Sequence, residues 1–238
     1  MKRILFVSLL FVTLLSIGCS QEDPVMIKQE TNETEPSHKP EFVEEKNEDN
    51  ETHAFIEFSL PEEQVKLNLK MIPILNQYLQ TVQDRDQTIK EMNLIPVHPD
   101  YDTLYLLEFS CYDQSCSYIL IDQSKDNRSH LIADLSQYIQ IQFSPNMEKL
   151  FLQFNRVKDD TMSLGHIVVV DLQDWELLKP VEQSPPILHY EHALLEVDWE
   201  DDERIAVVVP DFSKLAEAST ESWNEADNPT ESVILKFD

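Results

Sequence analysis

Hydrophobic and polar positions change rhythm along this chain of 238 residues. Residues 4–17 form an uncharged apolar run behind Lys2 and Arg3, and residues 20–52 then carry few apolar positions. From Phe55 to Leu60 the pattern is strand-like, and Ser59-Leu60-Pro61-Glu62 has the S-x-x-E form of a helix-start capping box. Val65, Leu69, Ile72, Leu75, Leu79 and Val82 recur at helical spacing, although Val65-Leu67-Leu69-Met71 fits strand alternation equally well. Pro73 must start or kink a helix. The spacing therefore predicts a helix from about Pro73 to Met92, packed by its apolar stripe on a sheet. Beyond Pro96 short alternating runs dominate, so the fold class expected is mainly β with a helical N-terminal segment.

The β-rich region repeats. Val97-His98-Pro99-Asp100-Tyr101-Asp102-Thr103-Leu104-Tyr105-Leu106-Leu107 lies over Phe143-Ser144-Pro145-Asn146-Met147-Glu148-Lys149-Leu150-Phe151-Leu152-Gln153 at an offset of 46 residues, without a gap. A looser third copy is Trp199-Glu200-Asp201-Asp202-Glu203-Arg204-Ile205-Ala206-Val207-Val208. Each copy precedes a further strand, at 117–122, 166–172 and 232–237. Strand repeats of about 40 to 50 residues suggest propeller blades. Phe143-Ser144-Pro145-Asn146 and His166-Ile167-Val168-Val169-Val170-Asp171-Leu172 resemble the S-P-D-G-x-x-L hairpin of TolB-type and related β-propeller repeats, over roughly residues 97–238. The family's turn glycine is missing from every copy. About three blades fit, whereas closed propellers usually have at least four. The resemblance implies antiparallel blades in a partial or propeller-like repeat, an open curved sheet, or a protomer that closes with others.

Composition narrows the chemistry. Gly occurs twice, at Gly18 and Gly165. No G-x-G-x-x-G turn, phosphate-cradling P-loop or G-x-S-x-G nucleophile elbow can be written with so few. Those motifs need positive φ or close backbone approach to a ligand. The 18 Lys+Arg stand against 45 Asp+Glu, a net charge of −27. Such a field repels phosphate backbones, so no nucleic-acid partner is expected, and it attracts cations and basic surfaces.

Ser16-Ile17-Gly18-Cys19 closes the apolar N-terminal run, which is shorter than the roughly 20 residues a membrane span requires. The segment resembles a bacterial lipoprotein signal with its lipobox, Ser16 standing where leucine is most frequent. That resemblance implies cleavage before Cys19, lipid on its thiol, and a place on the extracytoplasmic face of the cell membrane. Four parts are expected: a signal at 1–18, a lipidated Cys19 with a disordered acidic tether at 19–52, a strand and helix segment at 53–96, and the repeat domain at 97–238. The tether would span about 30 Å.

Cys111 and Cys116 lie between two strand-like runs. In a hairpin with a four-residue loop they would face each other within disulfide reach, and an extracytoplasmic setting permits the bond. Two reduced thiols, or a metal or redox dithiol, are the alternatives. His189 and His192 are a close histidine pair, and Asp201 and Asp202 belong to an acid-rich turn. As a metal site these four need convergence on one point; solvated turn acids and half-buried histidines are the competing account. Trp175 and Trp199 are expected between sheets. Trp223, in a polar insertion at 213–230, is a candidate contact surface. No serine, histidine or acid stands in a recognisable nucleophile context, so no catalytic residue and no cofactor is assigned. The expected role is a membrane-anchored module binding a protein, peptide or envelope component. A hydrolase using acidic residues and a cation-dependent adhesion or sensor module are the alternatives.

Overall fold

The computed structural model describes residues 39–46, 52–98, 101–124, 128–159, 162–181, 189–211 and 229–237. Strands β1 (Glu41–Lys46), β2 (Thr52–Ser59) and β3 (Gln64–Asn68) pair antiparallel in chain order. A 3-10 turn at Leu69–Met71 leads into helices α1 (Pro73–Thr81) and α2 (Arg85–Lys90). A seven-stranded antiparallel sheet follows: β4 (Asn93–His98), β5 (Tyr101–Tyr112), β6 (Ser115–Asp122), β7 (Arg128–Phe143), β8 (Lys149–Asp159), β9 (Met162–Asp171) and β10 (Glu176–Leu178). Strands β11 (Glu196–Trp199), β12 (Arg204–Pro210) and β13 (Thr230–Lys236) make the third sheet. Within each sheet every strand pairs with its neighbour in sequence, the arrangement short connections favour. Among the described residues the protein is mainly β, with three antiparallel sheets and two short helices, and no sheet closes into a ring.

The seven-stranded sheet is two four-stranded halves that share β7. Residues 128–136 of β7 pair with β6, and residues 137–143 pair with β8. Between them Leu135 adopts φ 46°, left-handed backbone that breaks an extended strand. Alternation then supplies two buried faces to each half, because successive side chains of a strand point to opposite sides. Tyr105, Leu107 and Phe109 of β5, with Ile119 and Ile121 of β6, join Ile56, Phe58, Val65 and Leu67 of the first sheet and the helices in one core. Leu104, Leu106, Tyr118 and Leu120 face the other way, against Leu150, Leu152, Phe154 and Val170 of the second half. Phe151, Ile167 and Val169 turn to a third core with Val197, Ile205, Val207 and Leu235 of the last sheet. Four β layers therefore enclose three cores in series.

Several expectations need correction. The helix expected over 73–92 is broken: Val82 is extended, and Asp84 caps α2 by accepting from the Gln87 amide at 2.9 Å. Ser59-Leu60-Pro61-Glu62 starts no helix but a turn, closed by Leu60 N–H on the Glu63 carbonyl at 2.8 Å. The strand alternative prevails there because Val65 and Leu67 both face the first core. Strand β1 lies inside the segment expected as tether; Phe42 pairs with Ile56, and the Arg85 guanidinium stacks 3.6 Å over its ring. The repeat copies become β4–β5, β7–β8 and β11–β12, and the first sheet is a fourth layer that no repeat announced.

Candidate functional site

With so little glycine, the turns are built from other residues in left-handed conformation. Met147 takes φ 63° where the S-P-D-G hairpin has glycine. Asn146 stabilises that turn, its Oδ1 accepting from Ser144 Oγ at 2.8 Å and from Glu148 N–H at 3.1 Å. Equivalent positions then touch along one rim. The Tyr101 hydroxyl, at the start of β5, donates to the Met147 carbonyl at 2.7 Å. The Asn146 amide donates to Asp202 Oδ1 at 2.8 Å in the β11–β12 turn. Glu148, Glu200 and Glu203 are exposed along this rim. Arg204 neutralises part of the charge, bonding Asp201 at 2.7 Å and Glu200 at 3.3 Å. The Arg204 guanidinium beside it holds the Asp201 carboxyl below its ordinary range.

A second polar cluster forms where β7 bends. Ser136 is fully buried; its hydroxyl donates to the Asp134 carbonyl at 2.8 Å and meets the Tyr190 hydroxyl at 2.6 Å. Arg156 donates to the same carbonyl at 2.6 Å and lies 3.9 Å over the Tyr190 ring. His166 stacks on His189 with ring centroids 5.3 Å apart and lies tilted against the Tyr190 ring at 4.7 Å. Backbone bonds fasten the segment, from Tyr190 N–H to the Gly165 carbonyl at 2.9 Å and from Gly165 N–H to the His192 carbonyl at 2.7 Å. Burial, with the neighbouring His189 and Arg156, pushes the His166 pKa down to about 4. Burial also raises Tyr190. A serine with no solvent access attacks no substrate; the cluster latches residues 189–192 onto β9.

The third feature is the β5–β6 hairpin. Asp113 (φ 45°) and Gln114 (φ 66°) form a two-residue turn between Tyr112 and Ser115, the left-handed pair that matches strand twist. Cys111 and Cys116 are joined by a disulfide across it, with Cα atoms 4.0 Å apart. One oxygen of Glu108 and both sulfurs lie within 4.8 Å of one another. The Tyr118 hydroxyl donates to the Glu108 carboxylate at 3.0 Å.

The candidate metal residues His189, His192, Asp201 and Asp202 are not brought together. His189 bridges to His166, the His192 carbonyl serves Gly165, and Asp201 and Asp202 serve the β11–β12 turn and its neighbour. Among the described residues the grouping of three ligand-type side chains is Glu108, Cys111 and Cys116. Trp175 is buried in the middle core and Trp199 packs on Phe151 at 5.9 Å. Cys19 and Trp223 lie outside the described residues. Sequence reasoning missed Glu108 and Ser136, though Glu108 interrupts the apolar run Leu104-Tyr105-Leu106-Leu107 and Phe109, a charge where alternation is dense. A shallow cleft of about 370 Å³ between β2 and α1 is lined by His53, Lys70, Asn76 and Gln77 and has no carboxylate. No described helix is long and apolar enough to cross a membrane. No protein-family model matches the chain, and no curated protein or solved structure matches it.

Proposed function

We propose that this protein is an extracytoplasmic module held at the cell membrane through lipid on Cys19, and that its rim is a non-catalytic binding surface for a protein, peptide or envelope component. In this reading the four β layers are consecutive blades of an open, propeller-like arc. The observation that carries it is the contact between equivalent positions 46 residues apart, Tyr101 on Met147, continued by Asn146 on Asp202. Stacked repeats of this kind present a long continuous surface. The rim is acidic, in a chain of net charge −27, and so suits a partner with a cationic face. The lipobox-like Ser16-Ile17-Gly18-Cys19 supports the anchor.

Two measurements test the reading. Cys19→Ala is expected to abolish incorporation of a labelled fatty acid and move the protein from the membrane fraction to the soluble one; unchanged retention overturns the anchor. Crosslinking of intact envelopes through the rim is expected to trap a partner, and the yield should fall as salt rises. Salt-independent capture would remove the electrostatic part of the reading.

A further inference from the structure

We propose that the β5–β6 hairpin is a dithiol–disulfide exchange site, in which Cys111 is the sulfur attacked and Glu108 passes the proton to and from Cys116. The inference stands on the hairpin alone and does not depend on the membrane anchor.

Cys111 is exposed, whereas Cys116 is 6% exposed. An incoming thiolate therefore reaches one sulfur and leaves the other as the buried leaving group, and access to a sulfur is part of what sets exchange rates. The carboxylate is placed by a backbone irregularity. Glu108 and Cys111 are an odd number of positions apart, which in a regular strand puts them on opposite faces. Ser110 takes φ 53°, and the β5–β6 register shifts between Phe109 and Tyr112. One extra residue in the strand returns Cys111 to the face of Glu108. Glu108 pairs across the strands with Tyr118, whose hydroxyl holds its carboxylate. A disulfide offers a carboxylate no strong donor, so a purely structural bond gains nothing from this neighbour. A thiol that must lose or gain its proton during exchange does gain from it. Tyr112, beside Cys111 and 81% exposed, adds an aromatic surface at the entrance.

The chemistry balances for a dithiol donor. One donor thiolate attacks Cys111 Sγ, forming a mixed disulfide and breaking the Cys111–Cys116 bond. The electron pair departs on Cys116 Sγ, which takes a proton through the Glu108 carboxyl. The second donor thiolate then attacks the donor sulfur of the mixed disulfide and releases Cys111 as a thiolate that is protonated from solvent. The donor becomes a disulfide, losing two electrons and two protons; the hairpin gains both. In reverse, the Cys111 thiolate attacks a disulfide substrate and expels one of its sulfurs as a thiolate; Glu108 accepts the Cys116 proton, and Cys116 attacks Cys111 Sγ, releasing the second thiolate and restoring the hairpin disulfide while the substrate is reduced.

Dithiothreitol added to the full chain in native buffer is the test, with timed iodoacetamide quenching and peptide-resolved mass spectrometry to separate Cys111 and Cys116 from Cys19. The expected result is complete reduction with an unchanged far-UV circular dichroism spectrum, and alkylation first at Cys111. Glu108→Gln should slow exchange by about 100-fold and flatten its pH profile, with Glu108→Asp recovering part of the rate. Tyr118→Phe, which frees the carboxylate while leaving both sulfurs in place, should shift the same profile. Reduction that proceeds only as the fold is lost, or alkylation first at Cys116, overturns the proposal. A Glu108→Gln profile that superimposes on the parent removes Glu108 from it.

Discussion

A β-carbon on residue 165 would stand 2.2 Å from Leu194 Cγ and 2.5 Å from its Cδ1. Gly165 is therefore required by close approach, since residues 190–194 cross β9 at that point. Gly165→Ala is expected to lower unfolding free energy by about 1–3 kcal/mol, as overpacking does, read from urea midpoints. Its neighbour His166 titrates near 4 in the fold against an ordinary 6.5, chiefly through burial. The folded chain thus binds that proton less readily than the unfolded chain does. The stability conferred is complete above about pH 6.5 and is lost as pH falls toward 4. His166→Phe should flatten the dependence of the urea midpoint across that interval, and an unchanged slope would show that other groups set it. Little of this was legible from sequence. His189 and His192 attracted notice by their spacing, but spacing could not reveal that His166, more than 20 positions upstream, shares their surroundings.

At the scale of single elements, periodicity carried most of what it could. The strands following the repeat copies lie where alternation put them, and Leu75 and Leu79 point inward as the helical stripe requires. Boundaries were harder, because a break such as Val82–Asp84 depends on one capping side chain and not on hydrophobic rhythm. The hairpin loop is also shorter than the cysteine spacing predicts: four residues separate the cysteines, but two of them belong to strands. Left-handed backbone at a non-glycine residue costs about 1 kcal/mol, so Gln114→Gly should raise thermal stability, less the added chain entropy of glycine. A net gain of about 0.5 kcal/mol is expected by differential scanning calorimetry. A loss would mean that the Gln114 side chain contributes contacts of its own.

For the whole molecule, the order of layers matters more than any single contact. Phe151 is fully buried and Ile167 and Val169 nearly so, and the last sheet covers them. Removing residues 196–238 should leave the middle core closed while exposing that face, giving strong binding of a hydrophobic dye and concentration-dependent association in size-exclusion runs. A monomer that binds no dye would contradict the layered description. The fourth layer, β1–β3, escapes a gapless overlay because its turn, Phe58-Ser59-Leu60-Pro61-Glu62, carries one residue more between Ser and Pro than Phe143-Ser144-Pro145-Asn146; it joins the stack through a core that includes Ile56, Phe58, Val65 and Leu67.

Strand β7 belongs to both halves of the middle sheet, and this shapes how such a chain can vary over generations. A residue gained or lost within 128–136 would invert inward and outward positions against β6, and one within 137–143 would do so against β8, unless a bulge takes up the change. Length changes should therefore accumulate in the connections at either end of β7, and almost never inside it.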